Sequence, residues 1–211
     1  MEIKVAGNRQ FWDYHMACGR GYDKVRTGWS KADFESRTDD TITAYLNLES
    51  HYRVAELGCA MAYACKVVAP QVAEYVGIDF SEQMLQEAKA LNSRFNNAKF
   101  VVNDGLTIPF EDDYFDIVFS ELCFQHMNQE QMISNIMEIR RVVKPGGGVA
   151  LQFPMPCISD GRCSPTLSDL RSLFPDEKIK HYQHYIYVYT PGFVEDDIKH
   201  IVDDPQLVNF I

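Results

Sequence analysis

From residue 52 onward, short apolar runs alternate with segments of helical periodicity, and this alternation constrains the fold more than any other feature. Five runs are predicted to be strands, at 52–57, 74–79, 99–102, 115–120 and 149–153. Strands that are separated by helices need right-handed crossovers, which place the strands side by side in a mainly parallel sheet. The sequence therefore predicts a doubly wound α/β domain with helices on both faces of the sheet.

Helix-start signals lie between and beyond these strands. Ser81 is predicted to cap one helix, and Asn128 with Gln131 forms a capping-box pattern at the start of another. Helical spacing predicts their apolar faces to be Met84, Leu85, Ala88 and Leu91 in the first, and Ile133, Ile136 and Met137 in the second. Further helices are expected at 8–18, at 30–48, at 60–71, after a cap at Ser164 and after Thr190.

Composition narrows the classes of partner. The 211 residues carry 20 Lys+Arg and 30 Asp+Glu, which gives a formal charge of −10. A protein that grips nucleic acid needs a basic stripe, and none is visible, so nucleic-acid and anionic-membrane partners are disfavoured. No secretory signal or membrane helix is expected, and the six cysteines lack metal-ligand spacing. A reduced, cytoplasmic protein without a metal is the simplest class, and its oligomeric state is not predicted.

Polar residues follow the predicted strands at the edge where ligands bind in open parallel sheets. They are Glu56 and the turn at Gly58 after the first strand, Asp79 after the second, Asp104 and Gly105 after the third, and Ser120 and Glu121 after the fourth. A carboxylate after the second strand can accept two hydrogen bonds from a ribose diol. An acid in the first turn suits an ammonium group. The set favours a nucleoside joined to an amino acid.

Two other nucleotide signatures fail on spacing. A dinucleotide-binding GxGxxG turn that starts at Gly58 would need glycine where the chain has Ala60 and Tyr63. A phosphate-binding P-loop would need Gly-Lys-Ser/Thr after the turn, and the chain has none there.

Four segments together resemble the class I S-adenosylmethionine-dependent methyltransferases, in particular the small-molecule enzymes of the methyltransferase domain 11 type. They are VAELGCAMA (54–62), GIDFSEQML (77–85), NDGLTIPFEDDYFDIVFSELCFQHM (103–127) and EIRRVVKPGG (138–147). Each motif alone is weak, whereas all four in order and at family spacing are a strong signal. The resemblance covers residues 50–155, about half the chain. It implies methyl transfer from S-adenosylmethionine to a small molecule, with S-adenosylhomocysteine as the product.

The resemblance also implies a role for individual residues. The methionine part of the cofactor would contact Glu56, Gly58 and Ala60, and Asp79 would bind the ribose hydroxyls. The adenine would contact Phe80, Met84, Asp104, Gly105 and Leu106, while Ser120, Glu121 and Leu122 would line the cofactor near the transferred methyl group. By its position after the fourth strand, His126 is the candidate general base for an acceptor that needs one. One domain is expected over 1–211, with a helical cap (1–50), a cofactor-binding core (51–155) and a substrate-side segment (156–211).

Two features depart from the family pattern. The family usually has glycine at the position of Ala60 and commonly at that of Ala62, and a positive φ would cost an alanine about 1–2 kcal/mol. The family's two closing strands are also hard to place, so the C-terminal edge of the sheet is expected to be abbreviated, or rearranged through the aromatic stretch at 181–189. These departures keep open a degenerate, non-catalytic interaction module. A methyltransferase acting on RNA or protein is a third interpretation.

Overall fold

Seven strands form one sheet in a computed structural model, which describes Asp13 and residues 46–155, 164–182 and 185–193. The strands are β1 (Arg53–Leu57), β2 (Glu74–Asp79), β3 (Ala98–Val102), β4 (Phe115–Ser120), β5 (Val143–Pro154), β6 (Lys178–Tyr182) and β7 (Tyr185–Tyr189). Their order across the sheet is β3-β2-β1-β4-β5-β7-β6. The first five strands pair in parallel, and β7 runs antiparallel to both β5 and β6. The predicted doubly wound α/β fold is confirmed.

Helices cover both faces of this sheet. They are α1 (Cys65–Val68), α2 (Glu82–Leu91), α3 (Gln129–Val142) and α4 (Leu167–Leu173), with 3-10 turns at Ala69–Gln71 and Phe124–His126. Successive residues of β1 point to opposite faces, so Val54 packs with α1 and α2 while Leu57 packs with α3 and α4. Strand order reverses between β1 and β4, and the carboxyl ends beside this reversal are where such sheets bind ligands.

The helix predicted at 60–71 is wrong in its first half. Residues 60–64 form turns, and regular helix is limited to α1 and the 3-10 turn after it. The physical reason is that Ala60 and Ala62 have φ values of +48° and +52°, which a right-handed helix does not contain.

The capping box at the start of α3 is confirmed, whereas its predicted apolar face is only partly right. The Asn128 side chain accepts from the Gln131 N–H, and the Gln131 side chain accepts from the Asn128 N–H. Of the predicted face, Ile136 is buried, but Ile133 and Met137 are 50% and 56% exposed. The helix is rotated so that it buries Met132, Asn135, Ile136, Ile139 and Val142. In α2, Leu91 is likewise exposed, at 37%.

Four further predictions concern the two ends of the chain. The helix after β5 is capped by Thr166 rather than by Ser164, whose hydroxyl donates instead to the Pro154 carbonyl. Apart from Asp13, which is helical, the helix predicted at 8–18 lies outside the described residues, as do residues 30–45 and the segment after 193. Leu46, at the end of the second predicted helix, forms an isolated β-bridge. No described helix has both the length and the apolarity needed to span a membrane.

The C-terminal edge of the sheet is not abbreviated. β6 and β7 form an antiparallel hairpin there, and β7 inserts between β5 and β6. Two strands therefore contain the described residues of the aromatic stretch at 181–189: His181 and Tyr182 are in β6, and residues 185–189 are β7. Of the two alternatives, the edge is thus the one arranged through the aromatic stretch at 181–189. The hairpin itself was not predicted, because residues 183 and 184, Gln and His, are not the Asn-Gly or Asp-Gly pair that marks a two-residue turn.

A polar cluster around Arg141 fixes the loop before β4 to α3. Its guanidinium donates to both carboxylate oxygens of Glu138, at 2.8 and 2.6 Å, and to Asp112 at 2.8 Å. It also donates to the carbonyls of Phe110 at 2.8 Å and Ile108 at 2.9 Å. The two oxygens of Glu138 fix the orientation of the planar guanidinium. The hydrogen bond from Arg141 also lowers the pKa of Glu138.

We expect Arg141→Lys to lower the free energy of unfolding by about 2 kcal/mol, because an ammonium group cannot reproduce this planar fork and hydrogen bonds to charged groups contribute about 1.5–3 kcal/mol. Urea denaturation measures this change. Arg140→Lys is the matched control, because the exposed Arg140 contacts only the face of Phe174 at 6.0 Å among the contacts described. Equal losses for the two variants would contradict a specific role for the cluster.

Candidate functional site

Asp79 joins two turns at the carboxyl edge of the sheet. It is the last residue of β2 and is 7% exposed. Its Oδ2 accepts the Ala60 N–H and its Oδ1 accepts the Ser81 N–H, both at 2.9 Å. Burial raises the pKa of Asp79, and these backbone hydrogen bonds act in the opposite direction. Since each carboxylate oxygen has two acceptor positions, both oxygens can accept further donors from a ligand.

Asp13 lies beside this carboxylate. The Ser81 hydroxyl donates to the Asp13 carboxylate, and Ser81 caps α2 by accepting the Met84 N–H at 3.3 Å. The charge of Asp13 also contributes to the raised pKa of Asp79. Sequence analysis missed Asp13, since no local pattern brings residue 13 to the end of β2.

The turn after β1 has the backbone conformation that glycine favours, although two of its residues are alanines. Gly58 has φ +72°, and a Cβ added there would lie 2.1 Å from Cys123 Sγ, so this position requires glycine on both grounds. Ala60 and Ala62 adopt the same left-handed region at φ +48° and +52°. The cost of about 1–2 kcal/mol expected for each alanine therefore applies.

Buried polar side chains hold both alanines in this conformation. The Ala60 N–H is bound by Asp79, as described above. The Ala62 carbonyl accepts from Asn92 Nδ2 at 3.2 Å, and the same amide donates to the Ala88 carbonyl at 3.0 Å. Asn92 is 6% exposed and directly follows α2. The last residue of β2 thus fixes Ala60, and the residue that follows α2 fixes Ala62.

Glu56 is oriented by Tyr75, a second residue that sequence analysis missed. The hydroxyl of Tyr75, which is fully buried in β2, donates to Glu56 Oε2. Burial and the charge of Glu56 both raise the pKa of Tyr75, so the hydroxyl keeps its proton and remains a donor. A tyrosine within an otherwise apolar strand was the available signal, because a buried hydroxyl needs a partner. Glu56 is 9% exposed.

Asp104 shapes the loop after β3. Its Oδ1 accepts the N–H groups of Leu106 at 2.8 Å and Thr107 at 2.7 Å, and the Thr107 hydroxyl at 3.0 Å. The backbone bonds from Thr107 and Leu106 lower the pKa of Asp104, which favours its ionised form. All three of these bonds go to Oδ1. Asp104 thus caps its own turn, and its side chain is exposed.

The structure brings Phe80 and Gly105 together from neighbouring strand ends. Gly105 has φ +84°, and a Cβ added there would lie 3.6 Å from Phe80 Cδ2. The loop is fixed from α3, because Asn135 donates to the Gly105 carbonyl at 2.8 Å and Ser134 to the Leu106 carbonyl at 2.9 Å. Met84 lies on α2 and is 2% exposed, so its side chain is almost entirely buried in the protein.

The residues after β4 complete the edge. Ser120 is fully buried, and its hydroxyl donates to the Leu57 carbonyl at 2.9 Å, which ties β4 to β1. Glu121 and Leu122 are half-buried, and Leu122 has φ +53°. His126 Nε2 lies 3.2 Å from Gln125 Nε2. Because an amide nitrogen only donates, His126 Nε2 accepts there, which places the proton of the neutral ring on Nδ1.

The cysteines near this edge are protonated thiols. Burial raises the pKa of Cys59 well above its ordinary value and that of Cys123 to about 12. A thiol in that state is a poor nucleophile at neutral pH. Within the described part of the chain, no group of three or more His, Cys, Asp or Glu side chains has a geometry suited to a metal ion.

The donor and acceptor set fits S-adenosylmethionine. Glu56, Asp79 and Asp104 place three carboxylates at the ends of the adjacent strands β1, β2 and β3. An ammonium group, a ribose diol and an adenine amino group are the three hydrogen-bond donors that the cofactor carries along its length. The turn through Ala60 has the required backbone conformation, so the residues present fit this group.

Comparisons with known proteins agree with this fit. A family model described as a methyltransferase domain matches residues 54–147. Demethylmenaquinone methyltransferase from Staphylococcus saprophyticus is 30% identical over 105 residues, which are 48% of this chain and 44% of that protein. The chain thus matches less than half of that relative's length.

Solved structures share the fold at low identity. Phosphoethanolamine N-methyltransferase 1 of Haemonchus contortus, solved with phosphoethanolamine and S-adenosylhomocysteine, has a TM-score of 0.68 at 15% identity, over 99% of this chain and 53% of that one. The [4+2]-cyclase SpnF has a TM-score of 0.65 at 19% identity, over 85% and 75%. The resemblance found in the sequence is confirmed at the level of the class I methyltransferase fold.

We expect Ala60→Gly to raise the free energy of unfolding by about 0.5–1 kcal/mol. Relief of the left-handed strain contributes about 1–2 kcal/mol, and the added flexibility of the unfolded chain offsets part of it. Urea denaturation measures the change. Ala88→Gly, in the middle of α2, is the control and should lose about 1 kcal/mol. A loss of similar size at both positions would show that Ala60 is not strained.

Proposed function

We propose that the chain is a class I S-adenosylmethionine-dependent methyltransferase that transfers a methyl group to a small-molecule acceptor, and the match of residues 54–147 to a methyltransferase domain model supports this proposal. The observation that carries the proposal is the position of Asp79. It ends β2, the neighbour of β1, and it is buried. Its two oxygens accept from backbone amides and have acceptor capacity left over.

In this proposal, the three carboxylates bind three different parts of the cofactor. Glu56, oriented by Tyr75, binds the ammonium of the methionine part, and Asp79 accepts the two ribose hydroxyls. Asp104 accepts from the adenine amino group through Oδ2, while Phe80, Met84, Gly105 and Leu106 contact the adenine ring. Ser120, Glu121 and Leu122 lie toward the transferred methyl. The roles of Gly58 and Ala60 are to let the backbone approach the methionine part.

Methyl transfer depends more on the alignment of the acceptor atom with the methyl group than on reactive side chains. When bound, S-adenosylmethionine supplies a methyl group that its sulfonium already activates. The chain then holds the acceptor atom in line with the methyl and excludes water from it. His126 is the proposed base for an acceptor that must lose a proton. Its Nε2 lies 3.2 Å from Gln125 Nε2.

The small-molecule acceptor is supported by charge and by similarity. The net charge of −10 disfavours a polyanionic acceptor such as RNA. A relative that matches the core is named a demethylmenaquinone methyltransferase, whose substrate is a small molecule. A reduced, cytoplasmic setting is part of the same proposal, and it is supported by the free thiols of Cys59, Cys65 and Cys123.

The main competing function is a non-catalytic binding module. Two observations favour it: alanine in place of glycine at residues 60 and 62, and the existence of a cyclase with the same fold, since a fold by itself does not fix an activity. The two alanines nevertheless adopt the glycine conformation. Cofactor binding separates the two functions.

We expect the protein to bind S-adenosylhomocysteine saturably, and we expect Asp79→Asn to weaken this binding about 10- to 100-fold. The amide loses one acceptor oxygen and the charge, and hydrogen bonds to a charged group contribute about 1.5–3 kcal/mol. Calorimetric titration measures both affinities.

The matched control is Asp116→Asn at the opposite end of the sheet. Asp116 also uses both carboxylate oxygens, since it accepts the Arg53 N–H at 2.7 Å and the Lys144 ammonium at 2.6 Å. Asp116→Asn should leave the affinity for S-adenosylhomocysteine unchanged. If the unaltered protein shows no binding at millimolar ligand, the methyltransferase proposal fails and the binding module replaces it.

Asp79 should also give the binding a characteristic pH dependence. Because burial raises its pKa, Asp79 becomes protonated at a pH above the ordinary value of about 3.9 and then accepts hydrogen bonds less well. Affinity for S-adenosylhomocysteine should therefore fall as the pH is lowered toward that range, and Asp79→Asn should remove this dependence.

Stability should change with pH in the opposite sense. A folded-state pKa that is raised above the unfolded value means that Asp79 contributes most to stability below the unfolded pKa and loses this contribution as the pH rises through the folded pKa. Urea unfolding of the unaltered protein relative to Asp79→Asn, followed from low to neutral pH, measures this difference. A difference that does not vary with pH would contradict the raised pKa.

A further inference from the structure

Leu122 has an unusual backbone conformation at a sensitive position. It lies two residues after β4, at the carboxyl edge of the sheet, and its φ is +53°. A leucine in this left-handed region is strained by about 1–2 kcal/mol. Such a strained backbone persists only where contacts with the surrounding residues hold it in place, and residues of this kind are concentrated at functional sites. The contacts of Leu122 must therefore supply a restraint.

Gln152 binds the N–H of Leu122. It lies in β5 and is 7% exposed. Its Oε1 accepts the Leu122 N–H at 2.7 Å, and its Nε2 donates to the Tyr187 hydroxyl oxygen at 2.7 Å. A backbone N–H can only donate, so the amide oxygen must face Leu122 and the amide nitrogen must face Tyr187. The orientation of the Gln152 side chain is thus fixed at both ends.

Gln125 binds the other side of the same residue. Its Nε2 donates to the Leu122 carbonyl at 3.2 Å, and its Oε1 accepts from the Tyr185 hydroxyl at 3.0 Å. Tyr185 and Tyr187 are two residues apart in β7 and so lie on one face of that strand. Both glutamines are therefore anchored to the same strand.

An aromatic contact reinforces these polar ones. Phe124, in the 3-10 turn after Leu122, stacks on Phe153 of β5 with ring centroids 4.4 Å apart. Both rings are fully buried. The segment after β4 is thus fixed to β5 by stacking and by Gln152, and to β7 by Gln125.

We propose that Gln152 and Gln125 are positioning residues that lock Leu122 in its left-handed conformation and so set the wall of the site beside the transferred methyl group. Tyr187 and Tyr185 hold the two glutamines, which gives the antiparallel strand β7 a role in shaping the site. The link to the methyl position rests on the proposed function, because it takes Leu122 to face the cofactor. The lock itself is independent of that function.

Amide hydrogen exchange tests the lock in the ligand-free protein. The Leu122 N–H should be protected in the unaltered protein, and Gln152→Met should speed its exchange at least tenfold, because methionine keeps the side-chain length and removes both hydrogen bonds. Tyr187→Phe should give a smaller increase, since it removes only the anchor. Gln71→Met is the control, because Gln71 donates to the Val67 carbonyl at 2.8 Å, before β2. An unprotected Leu122 N–H in the unaltered protein would overturn the proposal.

A double-mutant cycle on S-adenosylhomocysteine affinity tests the positioning role. Gln152→Met should weaken binding about tenfold, because Leu122 relaxes out of the left-handed region. In a protein that also carries Leu122→Gly, the same change should weaken binding less than about twofold, since glycine keeps that conformation without a restraint. Leu122→Asn is the alternative background, because asparagine tolerates this region and keeps a side chain.

The outcomes separate this inference from the proposed function. Loss of affinity by the same factor in both backgrounds would mean that Gln152 acts through general stability, and the positioning role would be wrong. Absence of binding by the unaltered protein would overturn the proposed function and the link to the methyl position, while hydrogen exchange would still decide whether the lock exists.

Discussion

The hydrogen bonds of one buried carboxylate, Asp79, hold together the carboxyl edge of the sheet at the ends of β1 and β2. The Ala60 N–H and the Ser81 N–H both donate to it, so the turn after β1 and the start of α2 are fixed relative to each other through the end of β2. Burying this carboxylate raises its pKa, and the backbone donors offset part of that cost. A ligand with hydroxyl donors would offset more of it, so the same feature that strains the free protein favours binding.

The residues of the carboxyl edge that have a strained, left-handed backbone are stabilised in the same way. Ala60, Ala62 and Leu122 have left-handed backbones without being glycine, and each has a backbone group bound by a buried polar side chain. The side chains are Asp79 for Ala60, Asn92 for Ala62 and Gln152 for Leu122. A hydrogen bond to a buried partner contributes about as much as the left-handed conformation costs an L-residue. The chain thus holds these left-handed turns by restraint instead of by the backbone freedom of glycine.

Local signals predicted most of the fold. The strands at 74–79 and 115–120 and the caps at Ser81 and Asn128 are set by neighbouring residues, and the structure has them where the sequence placed them. The errors occur where tertiary contacts override local pattern. The helix predicted from residue 60 fails because the turn must approach Asp79, and Ile133 and Met137 are exposed because the sheet contacts a different face of α3. The hairpin of β6 and β7 carries no turn signal that sequence analysis could use.

In the candidate site too, some residues are predictable from local sequence and others are brought in by tertiary contacts. Glu56, Gly58, Asp79 and Asp104 stand directly at strand ends, so strand prediction alone brings them to one edge. Asp13, Gln152 and Tyr187 come to the site through contacts between residues that are 30 or more positions apart, and no spacing rule links them. The part of the edge proposed to bind the cofactor is therefore encoded locally, whereas the part proposed to lie beside the acceptor depends on how β5 and β7 pack against the segment after β4. Those long-range contacts can change while the residues at the ends of β1, β2 and β3 stay the same, so a match to a methyltransferase domain model over residues 54–147 carries no information on the acceptor.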